Sequence, residues 1–437
     1  LVRRVADRAA LPEAVVAEIV ERADGVPLFA EELTRAVLEA GAAGAAPASA
    51  VPATLHASLL ARLDRLGPAA REAAQVGAVV GREFAHELLA AVADLGEEAL
   101  AAALGQLLGA RLLFRRGAGP EAGYLFKHAL VRDAAYDSLL RSKRRQLHAR
   151  VAAVLEERFP ARGKAQPELL AHHCAEAGLA ERAVGYRYEA GRRAMARSAM
   201  AEAVAQLTQG LGLMAGLPAG PDRDRTELDL RIALGGALIA TRGWTAPEVG
   251  EAYGRARELC TEEAQRPQLL AVLSGLFVYH LQRSGTGVAG RIAGELLGLA
   301  ERERDVAARA AGHRLLGVSS MYGGRFRPAL AHLEQALALH EAADRGSPVF
   351  LGAPDIRVAC LGFTALILLW QGYPERALAR SREALAAAHE LDDPHTTSMA
   401  LDHRCWVHHD RDEPRSVLER AATLMALAAD QELPAWL

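Results

Sequence analysis

The amino-acid sequence predicts a mainly α-helical protein: a small helical segment, a winged-helix domain with a short β-hairpin, and then a solenoid of helical repeats. Of its 437 residues, 51% are hydrophobic and 5% are aromatic. Alanine, leucine, glutamate and arginine dominate, and these residues favour helix over strand. Strand-like alternation is confined to one short region, and small and apolar residues recur at fixed offsets after it, as in repeat proteins.

The first predicted element is a pair of helices within residues 1–45. The stretches "LPEAVVAEIVERA" and "AEELTRAVLEA" have a helical pattern, and "DGVPLF" breaks it. Pro12 stands near a helix start, where its missing N–H costs little. The small residues of 41–54 then predict a linker.

Residues 52–158 have the element order of a winged helix. Helical patterns run through "ATLHASLLARLDRL", "PAAREAAQVGAVV", "EFAHELLAAV" and "EEALAAALGQLLGA". The segments "RLLFRR" and "YLFKH" flank a turn rich in glycine and proline, which predicts a β-hairpin. A helix follows from about Ala129, and another runs through "KRRQLHARVAAVLEERF".

Residues 165–437 contain a repeat that can be counted. In four units a turn residue is followed, at offsets of 5, 9 and 12 residues, by small or apolar residues. The units begin at Ser198, Trp244, Gly324 and Gly372, and a degenerate unit contains Gly285, Gly290, Gly294 and Leu297. Small residues let paired helices approach closely, and larger ones fill the groove between them.

The unit after Gly324 has the clearest apolar face. Phe326, Leu330, Leu333 and Leu337 recur there at helical period. A single unit of this kind cannot bury its face alone, so we expect the units to stack into a solenoid. The alternative is a bundle of helical hairpins without regular stacking.

Motifs for enzymatic chemistry do not stand out. No P-loop is present, since the single Gly-Lys pair, Gly163-Lys164, lacks the earlier glycine and is followed by alanine. "GTGVAG" (Gly285–Gly290) matches G-x-G-x-x-G but follows a helical pattern, which favours a turn between helices over a dinucleotide site. We therefore expect no catalytic residues and no cofactor in this chain.

The sequence also predicts no metal site. "DHRCWVHHDRDE" (Asp402–Glu413) collects histidines, a cysteine and acids, but Cys405 and His409 supply two ligands where a closed zinc site needs four. His172 and His173 are adjacent, so we expect them on different faces of a helix, in structural roles. The four cysteines are widely spaced, which indicates reduced thiols and a cytoplasmic location.

Charge patterning bears on the partners. The net charge is −3 and the pI about 6.6, which disfavours a dedicated nucleic-acid binder. "RSKRRQLHAR" carries five basic residues and no acid, and we interpret it as a solvated face or an intramolecular contact. The most apolar run, "CLGFTALILLW", is too short to span a bilayer, which takes about 20 residues.

Several strings together resemble the C-terminal part of bacterial signal-transduction ATPases with numerous domains (STAND ATPases). They are "DGVPLFAEEL", "VPATLHASLLARLDRLGPAAREAAQVGAVVGREF", "FKHALVRDAAYDSLL" and "PELLAHHCAEAGLAERAVGYRYEAGRRA". The resemblance covers residues 15–215; beyond them it is the general repeat pattern. These proteins are AAA-like and are often fused to class III adenylate or guanylate cyclase domains; others carry kinase or LuxR-type DNA-binding domains.

The resemblance implies an organisation and two site residues. Residues 1–45 would be the end of the helical lid domain, residues 52–158 the winged helix, and residues 165–437 a TPR-like sensor. "GVPLF" is similar to the family's Gly-x-Pro motif, whose proline, here Pro27, would lie against the base of a bound nucleotide. "FKHALVRDAAY" is similar to the methionine-histidine-aspartate motif, so His128 would reach the β-phosphate of ADP. Val26 and Ala129 depart from the family's asparagine and aspartate. The alternative is that His128 caps the following helix.

The implied function is regulation of an ATPase switch in the intact parent protein. ATP or ADP would bind an upstream nucleotide-binding domain, and an unknown protein or small ligand would bind the concave face of the solenoid. An attached nucleotide cyclase would be the controlled output, and oligomerisation on activation is a family expectation. A MalT/LuxR-like transcription activator and a plain TPR scaffold stay open as alternatives. The chain starts without methionine and ends without a polar cap, so we expect it to be a fragment.

Overall fold

The computed structural model describes residues 1–6, 11–23, 25–42, 55–117, 122–261, 266–283, 285–342, 355–431, 433 and 436. Within these residues it has 23 helices and three short strands, which confirms the mainly α-helical fold class. The chain divides into two compact units, Leu1–Ala183 (unit 1) and Val184–Leu437 (unit 2). This division falls within one helix; the finer domain boundaries predicted from the sequence stay predictions.

Unit 1 combines helices with one small sheet. Its helices are α1 (Val2–Val5), α2 (Glu13–Ala23), α3 (Pro27–Ala42), α4 (Leu55–Arg65), α5 (Pro68–Val80), α6 (His86–Val92), α7 (Glu97–Gly109), α8 (Ala129–Asp137), α9 (Arg141–Glu157), α10 (Pro160–Ala165) and α11 (Pro167–Ala177). Helix α12 (Ala180–Ala196) crosses into unit 2. The strands are β1 (Glu83–Ala85), β2 (Leu113–Arg116) and β3 (Gly123–Phe126).

The predicted hairpin is present as β2 and β3, paired antiparallel with Leu113 opposite Phe126. Strand β1 pairs antiparallel with the other edge of β3, so the strand order is β1-β3-β2. The prediction that "EFAHELLAAV" is helical throughout is therefore wrong at its start. Phe84 of β1 is buried against the rings of Tyr124 and Phe126, with centroids 5.9 and 5.6 Å away, and this non-local packing outweighs helix propensity.

The predicted break in residues 24–29 is shorter in the structure. Helix α3 begins at Pro27, so the "PLF" residues are its first turn. Proline suits that position because its fixed φ matches the helix and its missing N–H is not needed there. Gly25, at φ 75°, makes the sharp turn that precedes it, a conformation that costs glycine little.

Unit 2 is a stack of antiparallel helices. Its helices are α13 (Met200–Met214), α14 (Pro221–Arg242), α15 (Pro247–Leu259), α16 (Arg266–Arg283), α17 (Thr286–Glu303), α18 (Val306–Tyr322), α19 (Phe326–Ala342), α20 (Ile356–Trp370), α21 (Pro374–Leu391), α22 (Pro394–Asp410) and α23 (Pro414–Asp430). Each helix packs on the next. In addition α14, α16, α18, α20 and α22 pack on one another in order, which confirms the predicted solenoid.

Small residues allow the close helix approach that the repeat predicts. Ala329, Leu333 and Ala336 of α19 are fully buried. Gly317 of α18 faces Leu333, and a Cβ at position 317 would lie 2.8 Å from Leu333 Cγ. That distance is shorter than a carbon–carbon contact, so the glycine sets how close α18 and α19 can pack.

The turns between paired helices carry a residue in the left-handed region, and they show where the predicted register is right. Ser198, Gly324 and Gly372 occupy this position as predicted, at φ 62°, 71° and 86°. In the second unit the turn residue is Gly243, at φ 83°, so the assignment of Trp244 is wrong by one residue. The extra residue in that turn leaves Val249 and the rest of its buried face in the predicted register.

The degenerate unit is also wrong by one residue. The buried face of α17 contains Ala289, Ala293 and Leu296, whereas Gly294, one of the predicted positions, is exposed. Helix α17 begins one residue after its turn glycine, Gly285, while α19 and α21 begin two residues after theirs. One residue less in the turn rotates the buried face by about 100°.

Two of the predicted features lie mostly or wholly outside the described residues. Most of the linker of 41–54 and the tip of the hairpin turn, 118–121, are outside them. Across the described residues, no helix combines the length and hydropathy needed to cross a membrane.

Candidate functional site

Pro27 and His128, the two residues predicted to sense nucleotide, both belong to unit 1. Pro27 is the first residue of α3 and is exposed. His128 follows β3 and occupies the N-cap position of α8, with φ −138° and ψ 149°. Charged neighbours of the two residues link their segments.

The imidazole of His128 does not cap α8. His128 holds the N-cap position, as the helix-cap alternative predicted, but its side chain makes no capping hydrogen bond. Its Nε2 atom is buried and has no hydrogen-bond partner. A buried polar atom without a partner is costly, and it marks a position where a ligand group or water can be bound.

Charged residues join α3 to the segment that carries His128. Lys127 Nζ lies 2.7 Å from Glu31 Oε1 and 3.3 Å from Glu32 Oε1, both on α3. Arg62 of α4 forms an ion pair with Glu32, and Arg62 also donates to the carbonyl oxygen of Ala110 at 2.8 Å. We call Glu31, Glu32, Arg62 and Lys127 the charged cluster.

The ion pair at the centre of the charged cluster is shielded from water, whereas Lys127 and Glu31 are partly exposed. Glu32 and Arg62 are each 2% exposed. Because burial of a charge is costly unless it is paired, their mutual contact fixes how α3 and α4 pack. Pro27 lies one helical turn before Glu31 on the same face of α3, so the cluster connects the region of Pro27 to Lys127, the neighbour of His128.

The electrostatics of the site favour a neutral imidazole. Burial lowers the pKa of His128, and the charge of Lys127 lowers it further, while Glu32 and Glu31 act in the opposite direction. The hydrogen bond from Lys127 lowers the pKa of Glu31, which keeps that carboxylate ionised. At neutral pH His128 therefore offers one N–H donor and one acceptor nitrogen.

Sequence reasoning missed the charged cluster. The available signal was Arg62 on the same helical face as the apolar residues Leu59 and Leu63. A charge on an apolar face is explained by a buried partner. The sequence does not show where that partner is, because Glu32 lies 30 residues earlier.

The basic segment of α9 makes intramolecular contacts, as interpreted from the sequence. Arg144 donates to the carbonyl oxygens of Leu139 and Asp137, both at 3.1 Å. Arg145 donates to the carbonyl oxygen of Ala177 at 3.3 Å, and Arg150 pairs with Asp94. These contacts hold α8, α9 and α11 together.

His172 is exposed and His173 is buried, as expected for different faces of α11, yet the two rings lie close to each other. Their ring centroids are 5.3 Å apart, and both rings meet His148 of α9, at 5.6 and 5.1 Å. Adjacent residues diverge by about 100° around a helix. However, α9 packs against α11 at this point, and His148 fills the angle between the two side chains.

The histidines of "DHRCWVHHDRDE" have different surroundings in unit 2. His403 is buried against Phe363, with ring centroids 4.5 Å apart, while His408 contacts Glu413 at 2.6 Å. His409 is exposed beside Asp410. In the part of the chain that the structure describes, Cys405 and His409 do not join a group with metal-ligand geometry.

Comparison with known proteins gives distant similarity. No protein-family model matches the chain. An uncharacterized protein of Rhizobium meliloti (strain 1021) is 27% identical over 419 residues, which are 93% of this chain and 40% of that protein. The chain therefore spans less than half the length of this curated relative.

Solved structures with similarity are helical-repeat proteins. A STAND protein with a tetratricopeptide repeat sensor from Pyrococcus horikoshii has a TM-score of 0.40 at 11% identity, over 100% of this chain and 66% of that one. A Rap protein complexed with competence and sporulation factor has a TM-score of 0.42 at 12% identity, over 57% and 66%. Yeast Tom70 has 0.32 at 13% identity, over 96% and 86%. At these scores the similarity assigns no function.

Proposed function

We propose that this chain is the regulatory and binding region of a longer signal-transduction ATPase, and that unit 1 reports the bound nucleotide to the rest of the protein. The observation that carries the proposal is the buried, unpartnered Nε2 of His128 beside the charged cluster. The sequence resemblance supplies the rest: an upstream nucleotide-binding domain, and Pro27 against the base of its nucleotide.

The proposed sensing step is the formation and loss of one hydrogen bond at Nε2 of His128. With ADP bound, the N–H at Nε2 donates to a phosphate oxygen. The phosphate charge also raises the pKa of His128, because a nearby anion stabilises the imidazolium. Lys127 and Arg62 hold the segment against α3, so a shift at the phosphate moves α3 and Pro27 with it.

Switching requires that ADP and ATP stabilise two different arrangements. A nucleotide shifts such an equilibrium only by its differential affinity for the two states. ADP stabilises the closed arrangement through His128, and ATP exchange releases it. The helical stack of unit 2 binds a protein or small ligand that favours one state, and an attached nucleotide cyclase is the output.

A second candidate is a plain protein-interaction scaffold, which the helical stack of unit 2 favours by itself. In that case nucleotide is irrelevant to unit 1. A direct DNA-reading role is less well supported. Helix α7, the expected recognition helix, has no lysine or arginine, and Arg144, Arg145 and Arg150 make internal contacts.

The test compares the natural full-length protein with its His128→Ala variant, and uses His56→Ala, an exposed histidine of α4, as the matched control. Bound nucleotide is extracted from the purified proteins and quantified, and ATPase and cyclase activities are assayed. We expect ADP to co-purify with the natural protein and the His56 variant. The His128 variant is expected to lose ADP and to show raised output. Equal nucleotide content and equal output in all three would refute the sensing role and favour the scaffold.

A further inference from the structure

Three histidines meet where α9 packs against α11. One ring nitrogen from each of His148, His172 and His173 lies within 4.8 Å of the other two. The Nδ1 atoms of His148 and His173 are 2.9 Å apart. His148 is 1% exposed and His173 0%, whereas His172 is exposed.

This cluster is an expensive arrangement for histidines that serve only to pack. His173 Nε2 is buried with no hydrogen-bond partner, and of two Nδ1 atoms in contact one must carry the proton. Apolar side chains would fill the same space without polar atoms to satisfy. A bound cation removes part of this cost, because it uses nitrogen lone pairs that otherwise face each other.

The geometry is close to that of a metal site. Two nitrogens bound to a tetrahedral zinc ion, each at about 2.0–2.1 Å, stand roughly 3.3 Å apart. The two Nδ1 atoms need to separate by only a few tenths of an ångström to reach that distance.

The groups around His148 suit ligation through its Nδ1 atom. The other nitrogen of His148, Nε2, lies 3.0 Å from the hydroxyl of Tyr136. A hydrogen bond from the second nitrogen to an oxygen is the usual support of a metal-ligating histidine. Arg144 stands over the Tyr136 ring and donates to the backbone carbonyl oxygens of Leu139 and Asp137.

We propose that His148, His172 and His173 form a three-histidine site for a divalent transition-metal ion, of which Zn²⁺ is the best match. Imidazole suits zinc, copper and nickel, and zinc accepts three protein nitrogens with a water in its fourth position. The exposed His172 gives the ion an entry path from solvent. The bound ion links α9 to α11, a contact otherwise made by side-chain packing and by Arg145.

The test is zinc binding by the 437-residue chain, using Zn²⁺ alone after treatment with a chelator. His172→Ala is the informative variant, because this exposed side chain can be removed without opening the core. His389→Ala, an exposed histidine of α21, is the matched control for non-specific surface binding. Calorimetric titration gives affinity and stoichiometry. Co²⁺ replaces Zn²⁺ as a spectroscopic probe, since its visible absorption reports tetrahedral nitrogen ligation.

We expect one Zn²⁺ per natural chain and per His389 variant, and an affinity at least about tenfold lower for His172→Ala. Zinc is also expected to raise the Tm of the natural chain more than that of the His172 variant. Equal affinity in all three chains, absence of saturable binding, or a Co²⁺ form with the spectrum of the hydrated ion would each overturn the proposal.

Discussion

The two units are stabilised in different ways. Unit 1 is tied together by polar contacts between residues far apart in sequence, such as Lys127 with Glu31, 96 residues apart. In unit 2 the hydrogen bonds between helices, such as Arg257 with Glu295, 38 residues apart, join one repeat to the next. Unit 2 therefore depends on local, repeated packing, whereas unit 1 adds a few non-local polar contacts to its buried apolar core.

One contact of unit 2 departs from this pattern. The rings of Trp244 and Trp436 meet with centroids 5.5 Å apart, although they come from distant repeats. Trp436 also donates from Nε1 to Nδ1 of His395 at 3.0 Å. If distant repeats of unit 2 are coupled, we expect the contact between Trp244 and Trp436 to couple them.

Glu32→Ala is expected to have the largest effect and gives the sharpest contrast between the units. It removes the carboxylate that faces the buried Arg62, and the loss of one partner of a buried ion pair costs roughly 3–5 kcal/mol. The matched control is Glu295→Ala, whose pair with Arg257 is 43% exposed on each side and contributes about 0–1 kcal/mol. Urea unfolding measures both. Equal losses in the two variants would contradict the comparison.

Leu333→Ala tests whether unit 2 is stabilised locally. The side chain is fully buried, and its truncation is expected to cost roughly 2–5 kcal/mol. Because each repeat contacts its neighbours, hydrogen exchange should rise in α18, α19 and α20 and stay unchanged in unit 1. The control, Leu418→Ala, removes a side chain that is 71% exposed and should change little. Faster exchange throughout the chain would refute local stabilisation.

The adjacent residues His403 and Asp402 of unit 2 are expected to make the stability of the fold depend on pH in opposite directions. Burial lowers the pKa of His403 from 6.5 to about 4. Between these values the unfolded chain takes up a proton that the folded chain does not, so acidification destabilises the fold by about 3 kcal/mol. Burial raises the pKa of Asp402 from 3.8 to about 6, so acidification through this range stabilises the folded form.

The two contributions are separated by substitution and by unfolding at pH 7.5, 6 and 4.5. His403→Phe should lose stability less steeply than the natural chain as the pH falls. Asp402→Asn should lose it more steeply. Parallel pH profiles for all three proteins would show that neither group carries the predicted shift.

Substitutions in the turns between paired helices are expected to have the smallest effects on stability, one destabilising and one stabilising. Gly372 has φ 86°, so Gly372→Ala is expected to cost about 1–2 kcal/mol. Asp412 occupies the equivalent turn at φ 57°, and Asp412→Gly should relieve backbone strain by up to about 1 kcal/mol. Thermal unfolding measures both. If both variants lost stability, side-chain contacts at these turns would outweigh the backbone conformation.

Features of the structure that depend on local contacts were predicted from the sequence, whereas features that depend on non-local contacts were missed. Repeats with a local period were predicted with their buried faces, as at Leu333, because the pattern reports packing within a few residues. The register failed at Gly243 and in α17, where turn length changes by one residue and no residue type signals it. Strand β1 was missed because three residues form a strand only through their pairing with β3.

The candidate site was predicted in part. The position of His128 between β3 and a helix follows from local patterns, and so did the opening of α3 near Pro27. The partners of Lys127 and the meeting of His148 with His172 and His173 depend on how distant helices pack. Local periodicity carries no information on such contacts, so this part of the site became visible only in the folded chain.

The most direct test of the central claim is hydrogen exchange of the natural full-length protein, measured with and without ADP. If unit 1 senses nucleotide through His128, ADP should slow exchange in residues 25–42 and 122–137, and His128→Ala should abolish that protection. Hydrogen exchange in unit 2 should change less than in these two segments of unit 1. Identical exchange in both segments with and without ADP, or protection that persists in the variant, would contradict the account.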